Sequence, residues 1–184
     1  MNKFSSIGLS VSCAILVGAG VTLLLMSEGW AQEKCKRSGT SLAQDSKYTQ
    51  QHVIDVGDVP GHQVRILELH RTPSNAKPNC EGLKIAESWS RGYSDYIDLN
   101  GRAWGYDVTV LENGDKIFGQ WSGTTQTTFK DDGTKNTRYT GVTTFTGGTG
   151  KYRGIRGTSR VTSAFDPKTG FNETQWEDEY WLEN

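Results

Sequence analysis

The sequence predicts an all-β fold, a meander of about eight antiparallel strands closed into a barrel. Three observations carry that expectation. Segments of strand character recur at hairpin intervals from His52 onward, each bounded by turn residues. No stretch of about 11 residues sustains a helical period. Residues 147–157, GGTGKYRGIRG, set five glycines among eleven positions between two strand-like segments, a composition that turns a chain sharply.

Before the first strand, the chain opens with Lys3 and an uncharged run over residues 7–26 that exits through Ser-Glu-Gly-Trp-Ala. A basic start, an apolar run and small residues at Gly29 and Ala31 form the layout of a secretory signal, so Gln32 is expected to begin the mature chain. An uncleaved anchor is the alternative, since the run is about long enough to span a bilayer. Cys13 lies inside the run rather than at its end, which argues against a lipidation site. The expected organisation is a signal peptide at 1–31, a polar N-terminal arm at 32–51 and a barrel domain at 52–184. The expected location is secreted or periplasmic, with no membrane contact after cleavage.

With the signal removed, the chain suffices for one domain with a core. Twenty Lys and Arg face 21 Asp and Glu in the full sequence, a net charge of −1. Losing Lys3 and Glu28 leaves that balance unchanged. No basic cluster is present, so nucleic acid is not an expected partner. Cys35 and Cys80 remain, and an exported pair is expected to be bridged, which over such a loop stabilises by about 4 kcal/mol. The histidines at 52, 62 and 70 lack paired spacing and a nearby Cys-x-x-Cys, so no metal site is expected, and no cofactor.

The arm 32–51 is polar with few apolar anchors and reads as ordered by the disulfide or partly disordered. Strands are expected at 53–59, ending at Pro60-Gly61, and at 64–71. Residues 72–82, with Pro73, Pro78 and Asn79, break the pattern. Further strands are expected at 83–99, 102–111, 116–129, 136–146, 158–166 and 171–182. Their turns are Asn100-Gly101, 112–115, Asp131-Asp132-Gly133, the glycine stretch and 166–170. Asp131-Asp132-Gly133 lacks the alternating oxygens of a calcium loop. Asn172-Glu173-Thr174 fits a glycosylation sequon.

Within the glycine stretch, Tyr152 and Ile155 are apolar anchors between Gly147, Gly148, Gly150, Gly154 and Gly157. The Gly-Lys pair at 150–151 is not a phosphate loop, because that pattern needs glycine where Phe145 stands and Ser or Thr where Tyr152 stands. The longer run at 142–165, VTTFTGGTGKYRGIRGTSRVTSAF, resembles the signature of allene oxide cyclase-like and dirigent-like barrels. It shares their order of strand, GGTG turn, aromatic, Gly-x-x-Gly and strand over about an eighth of the chain. The resemblance implies an eight-stranded, calycin-like barrel with an apolar cavity.

Alternation along each strand then sorts side chains by face. In the last strand Thr174, Trp176, Asp178, Tyr180 and Leu182 share one face, and glutamates crowd the other. In the strand through Tyr93, one face carries Glu87, Trp89, Arg91, Tyr93 and Asp95, and its opposite is mostly Ala, Ser and Gly. The rich face either lines the barrel or forms an outer ladder of ion pairs. Trp104, Tyr106, Val108 and Val110 read as core or cavity wall, with Asp107 opposite. His70, beside Glu68, lacks a nucleophile partner and is a weak candidate base.

Three functions fit these features: a barrel binding an apolar or aromatic small molecule, an isomerase or cyclase of the allene oxide cyclase type, and a filled structural barrel. On the binding reading Trp89, Tyr93, Trp104 and Trp176 stand near the guest, and Arg91 or Asp178 fixes its polar end.

Overall fold

A computed structural model describes residues 33–129, 131 and 135–183. The chain divides into two units, Met1–Ala31 and Gln32–Asn184, and the described residues all belong to the second. The expected signal lies outside them.

Nine strands form the described unit: β1 (Cys35–Ser41), β2 (Ser46–Asp55), β3 (His62–Arg71), β4 (Ile85–Ile97), β5 (Asn100–Leu111), β6 (Lys116–Phe129), β7 (Lys135–Gly148), β8 (Ile155–Asp166) and β9 (Phe171–Leu182). They make one antiparallel sheet in the order β1-β9-β8-β7-β6-β5-β4-β3-β2. The fold is an all-β meander as expected. Its hydrogen-bonded ladder leaves β1 and β2 as two edges. These edges are consecutive in sequence, separated by a single 3-10 turn at Ala43–Asp45. One bent stretch of chain therefore pairs with β9 through its first half and with β3 through its second.

The stretch 32–51, expected as a polar arm, instead supplies β1 and the start of β2. Its inner positions explain the error. Arg37 and Gly39 face inward on β1, and the ring of Trp176 lies where a Cβ on Gly39 would stand. A strand whose inner residues are Cys35, Arg37, Gly39 and Ser41 shows no alternation of large apolar side chains.

The β4–β5 turn also sits earlier than expected. Ile97 pairs with Asn100, so Asp98 and Leu99 form the two-residue loop, with φ of 49° and 63°. Asn-Gly would suit that conformation better. Asn100 is used otherwise: its Oδ1 accepts the Thr127 backbone N–H at 2.7 Å. Leu99, meanwhile, packs on the cluster of Tyr96, Ala103, Trp121 and Phe165. Tertiary contacts outweigh the local turn preference.

A second apolar cluster joins Cys35, Leu111, Ile117, Tyr152, Ile155 and Tyr180. The glycine stretch feeds it by folding into a 3-10 turn at Gly150–Tyr152 that places Tyr152 and Ile155 fully out of solvent. Gly157 has φ of 129°, and a Cβ there would strike the Glu179 carbonyl; at Gly148 it would strike the Lys116 carbonyl. Gly148→Val and Gly157→Val are each expected to destabilise by roughly 1–3 kcal/mol in urea melts. Parent-like unfolding of both would make the stretch a flexible loop.

The expected disulfide is present, Cys35 to Cys80 with Cα atoms 6.0 Å apart. It ties the first residue of β1 to the irregular segment between β3 and β4.

Candidate functional site

The inner faces of all nine strands line one cavity of about 720 Å³. Aromatic rings from Tyr48, Trp121, Tyr139, Phe145, Phe165 and Trp176 make much of its wall. Residues 75–78, from the segment after β3, contribute to one side.

Glycine pairs make room for two of those rings. Gly92 pairs with Gly105 and Gly123 with Gly141 across neighbouring strands. A Cβ at Gly92 or Gly105 would meet the Trp121 indole, and one at Gly123 or Gly141 would meet the Tyr139 phenol. The Trp121 indole thus fills the space that side chains at Gly92 and Gly105 would take, and the Tyr139 phenol the space that side chains at Gly123 and Gly141 would take. They meet edge to face, with centroids 6.0 Å apart.

Polar groups enter the cavity as two clusters. In the first, Ser90 on β4 stands opposite Asp107 on β5, and its hydroxyl donates to Asp107 Oδ1. Thr143 donates to Asp107 Oδ2 at 3.2 Å. It reaches across β6 because Gly119 leaves the intervening space empty. Arg71 at the end of β3 donates from Nη1 to Ser90 Oγ at 2.9 Å, and from Nη2 to Asn172 Oδ1 at 3.4 Å and Thr174 Oγ1 at 3.5 Å. Asn172 in turn donates to the Tyr48 hydroxyl at 3.2 Å, a link from β9 to β2 across the unpaired edge. In the second cluster Arg37 Nε donates to Asp178 Oδ2 at 2.8 Å, with the guanidinium over the Trp176 ring.

Arg71 and Asp107 are both half-buried and line the cavity. Desolvation is consequently the leading influence on both. It pushes the Asp107 carboxyl above the usual range, against the opposing pull of Ser90, Arg71 and Thr143, and it lowers the affinity of Arg71 for its proton. Burial, reinforced by the nearby Asp107 charge, pushes the Tyr139 phenol upward too.

Of the residues singled out in the sequence, Trp176 and Asp178 line this cavity. Trp89, Arg91, Tyr93 and Trp104 do not. They stand on the outer face, with Tyr93 47% and Trp104 45% exposed. The chemically rich face of β4 is the outer ladder: Arg91 Nε pairs with Glu68 at 2.6 Å, Glu87 with His70 at 2.8 Å, and Asp95 with His62 at 2.8 Å. Tyr106 is likewise outside, whereas its neighbour Asp107 lines the interior with Ala103 and Thr109. His70 stacks on Trp89 with centroids 3.9 Å apart, a surface role. The sequon at Asn172 is turned inward, where that side chain is only 5% exposed.

On that outer face His62 bridges Asp58 and Asp95 at 2.6 and 2.8 Å. Hydrogen bonds to Asp95 and then Asp58 raise the His62 pKa above 6.5, and His62 in return lowers that of Asp58 below 3.8. A raised histidine stabilises fully below its unfolded value and loses that contribution as pH rises through the folded one; a lowered aspartate loses its contribution as pH falls. The bridge is therefore expected to be strongest between 3.8 and 6.5. Histidine ring NMR through a pH titration checks it, and a His62 midpoint at or below 6.5 would contradict the bridge.

Among the described residues, no group of His, Cys, Asp and Glu is placed to hold a metal, and no helix is long and apolar enough to cross a membrane. No family model matches the chain, and neither a curated protein nor a solved structure matches it significantly.

Proposed function

We propose that the curled sheet acts as an exported barrel whose cavity binds an apolar or aromatic small molecule. The observation that carries this reading is the cavity itself. Its size, of about 720 Å³, and its aromatic wall interrupted by two compact polar clusters fit a small-molecule site. Closure of the barrel rests on the bent chain 35–55 and on side chains at its seam, where Tyr48, Asn172 and Arg71 link β2, β9 and β3. The disulfide is compatible with a secreted or periplasmic location. Trp176 and Asp178 keep their proposed roles. Trp121 and Tyr139 replace Trp89, Tyr93 and Trp104 as the aromatic contacts, and Arg71 replaces Arg91 as the cationic one.

An isomerase or cyclase of the allene oxide cyclase type is the second reading, and Asp107 favours it. Burial pushes the Asp107 carboxyl above the usual range, and a carboxyl so raised on a cavity wall is suited to exchange a proton with a bound guest. A filled structural barrel is the reading that the cavity volume disfavours.

Titrating fatty acids, phenolics and terpenoids against intrinsic fluorescence tests the proposal. Quenching is expected to vanish in Trp121→Phe and Trp176→Phe combined and to persist in Trp104→Phe. A guest at 100 times its Kd should stabilise the fold by about 2.7 kcal/mol. Neither quenching nor thermal shift with any of the three classes would overturn binding, whereas turnover abolished by Asp107→Asn would establish the enzyme.

A further inference from the structure

Four ionic side chains of the sheet face the cavity: Arg37, Arg71, Asp107 and Asp178. They are not equivalent. Arg37 and Asp178 neutralise one another directly at 2.8 Å. Arg71 has no carboxylate within ion-pair distance among the described residues; its partners are the neutral oxygens of Ser90, Asn172 and Thr174. Two of those contacts are long, and its Nε is buried without a partner. A guanidinium carries five donors in a planar fork shaped for a carboxylate. Burying such a cation among neutral acceptors is costly unless an anion joins it.

The nearest protein carboxylate is kept from that role by the sheet itself. Asp107 stands opposite Ser90 in register, and its two oxygens are taken by Ser90 and Thr143. Ser90 therefore separates Asp107 from Arg71, with its proton turned to the acid and its lone pair to the guanidinium. Apolar residues flank the guanidinium on its own strand, since Leu67 and Leu69 precede Arg71 on the same inner face.

We infer that the guest is an organic carboxylate, its oxygens received on the Nη2 side of Arg71 and its apolar body lying against Trp121 and Tyr139. This rests on the reading of the cavity as a binding site. An acid is then preferred to its neutral ester, and the preference resides in Arg71 rather than in Arg37.

The test compares trans-cinnamate with methyl trans-cinnamate, and dodecanoate with methyl dodecanoate, by fluorescence and calorimetry on the wild-type chain at neutral pH. In at least one pair the acid is expected to bind about tenfold or more tightly than the ester. Arg71→Gln should bring the acid down to the ester and leave the ester unchanged. Arg71→Lys, which keeps the charge without the fork, should retain part of the preference, and it decides the matter should Arg71→Gln not fold. Equal binding of acid and ester in both pairs, a preference that survives Arg71→Gln or is untouched in Arg71→Lys, or one that is lost in Arg37→Gln instead, would overturn the carboxylate while leaving the cavity reading standing. Binding of neither acids nor esters would overturn both.

Discussion

Replacing Cys35 and Cys80 together by serine is expected to lower stability by about 4 kcal/mol, because the bridge closes a long loop in the unfolded chain. The two cysteines are 45 residues apart. What the bridge holds in the folded state is the segment between β3 and β4. Near its start, Ser74 donates its backbone N–H and its hydroxyl to Asp45 at 3.0 and 2.9 Å. Near its end, Glu81 accepts the Tyr180 hydroxyl at 2.6 Å beside the disulfide. Residues 75–78 run between these anchors and line the cavity. Loss of the covalent anchor should therefore also weaken guest binding, without unfolding the sheet. Urea melts of oxidised wild type and the double variant measure the first effect. A loss below about 1 kcal/mol would mean that the unfolded chain is already constrained over that loop.

Turn chemistry made most of the sheet readable. The loops after β5 and β8 lie where Gly, Asp and Asn predict them, and the glycine stretch does turn the chain, but β7 runs on through Gly148 and β8 starts at Ile155. The face of β4 was not readable from its own residues. A strand rich in aromatics on one side and in Ser and Gly on the other suggests that the aromatics are inside, and here they are outside. The space over β4 and β5 at Gly92 and Gly105 is taken by Trp121 from β6, and that over β6 and β7 at Gly123 and Gly141 by Tyr139, so the inner residues at those positions must be small. A signal for this was present in the glycines at 92, 105, 123 and 141, whose pairing needs the strand register to be recognised. Asp107 carried a similar signal, an isolated charge opposite apolar neighbours. Arg71, at the last position of its strand, stands out only once Asn172 and Thr174 are brought against it.

Tyr152→Ala is expected to cost about 3–5 kcal/mol, the range for deleting a buried aromatic ring. Tyr152 is 0% exposed and packs with Leu111, Ile117, Ile155 and Tyr180. Its hydroxyl accepts from Asn79 Nδ2 at 2.6 Å and donates to Glu81 Oε2 at 3.2 Å. Truncation therefore opens a void and strands the amide of Asn79, itself only 7% exposed. Tyr152→Phe keeps the ring and loses the hydrogen bonds, so it should cost about 1–3 kcal/mol. Burial pushes the phenol up to about 12, so the contrast should be insensitive to pH across the neutral range. Because Asn79 and Glu81 flank Cys80, the Tyr152 and disulfide variants share a structural unit, and their combined loss should fall short of the sum. Urea melts of the single and combined variants measure both effects. Full additivity would separate the glycine stretch from the bridged loop, and a loss below about 1 kcal/mol in Tyr152→Ala would remove the stretch from the core.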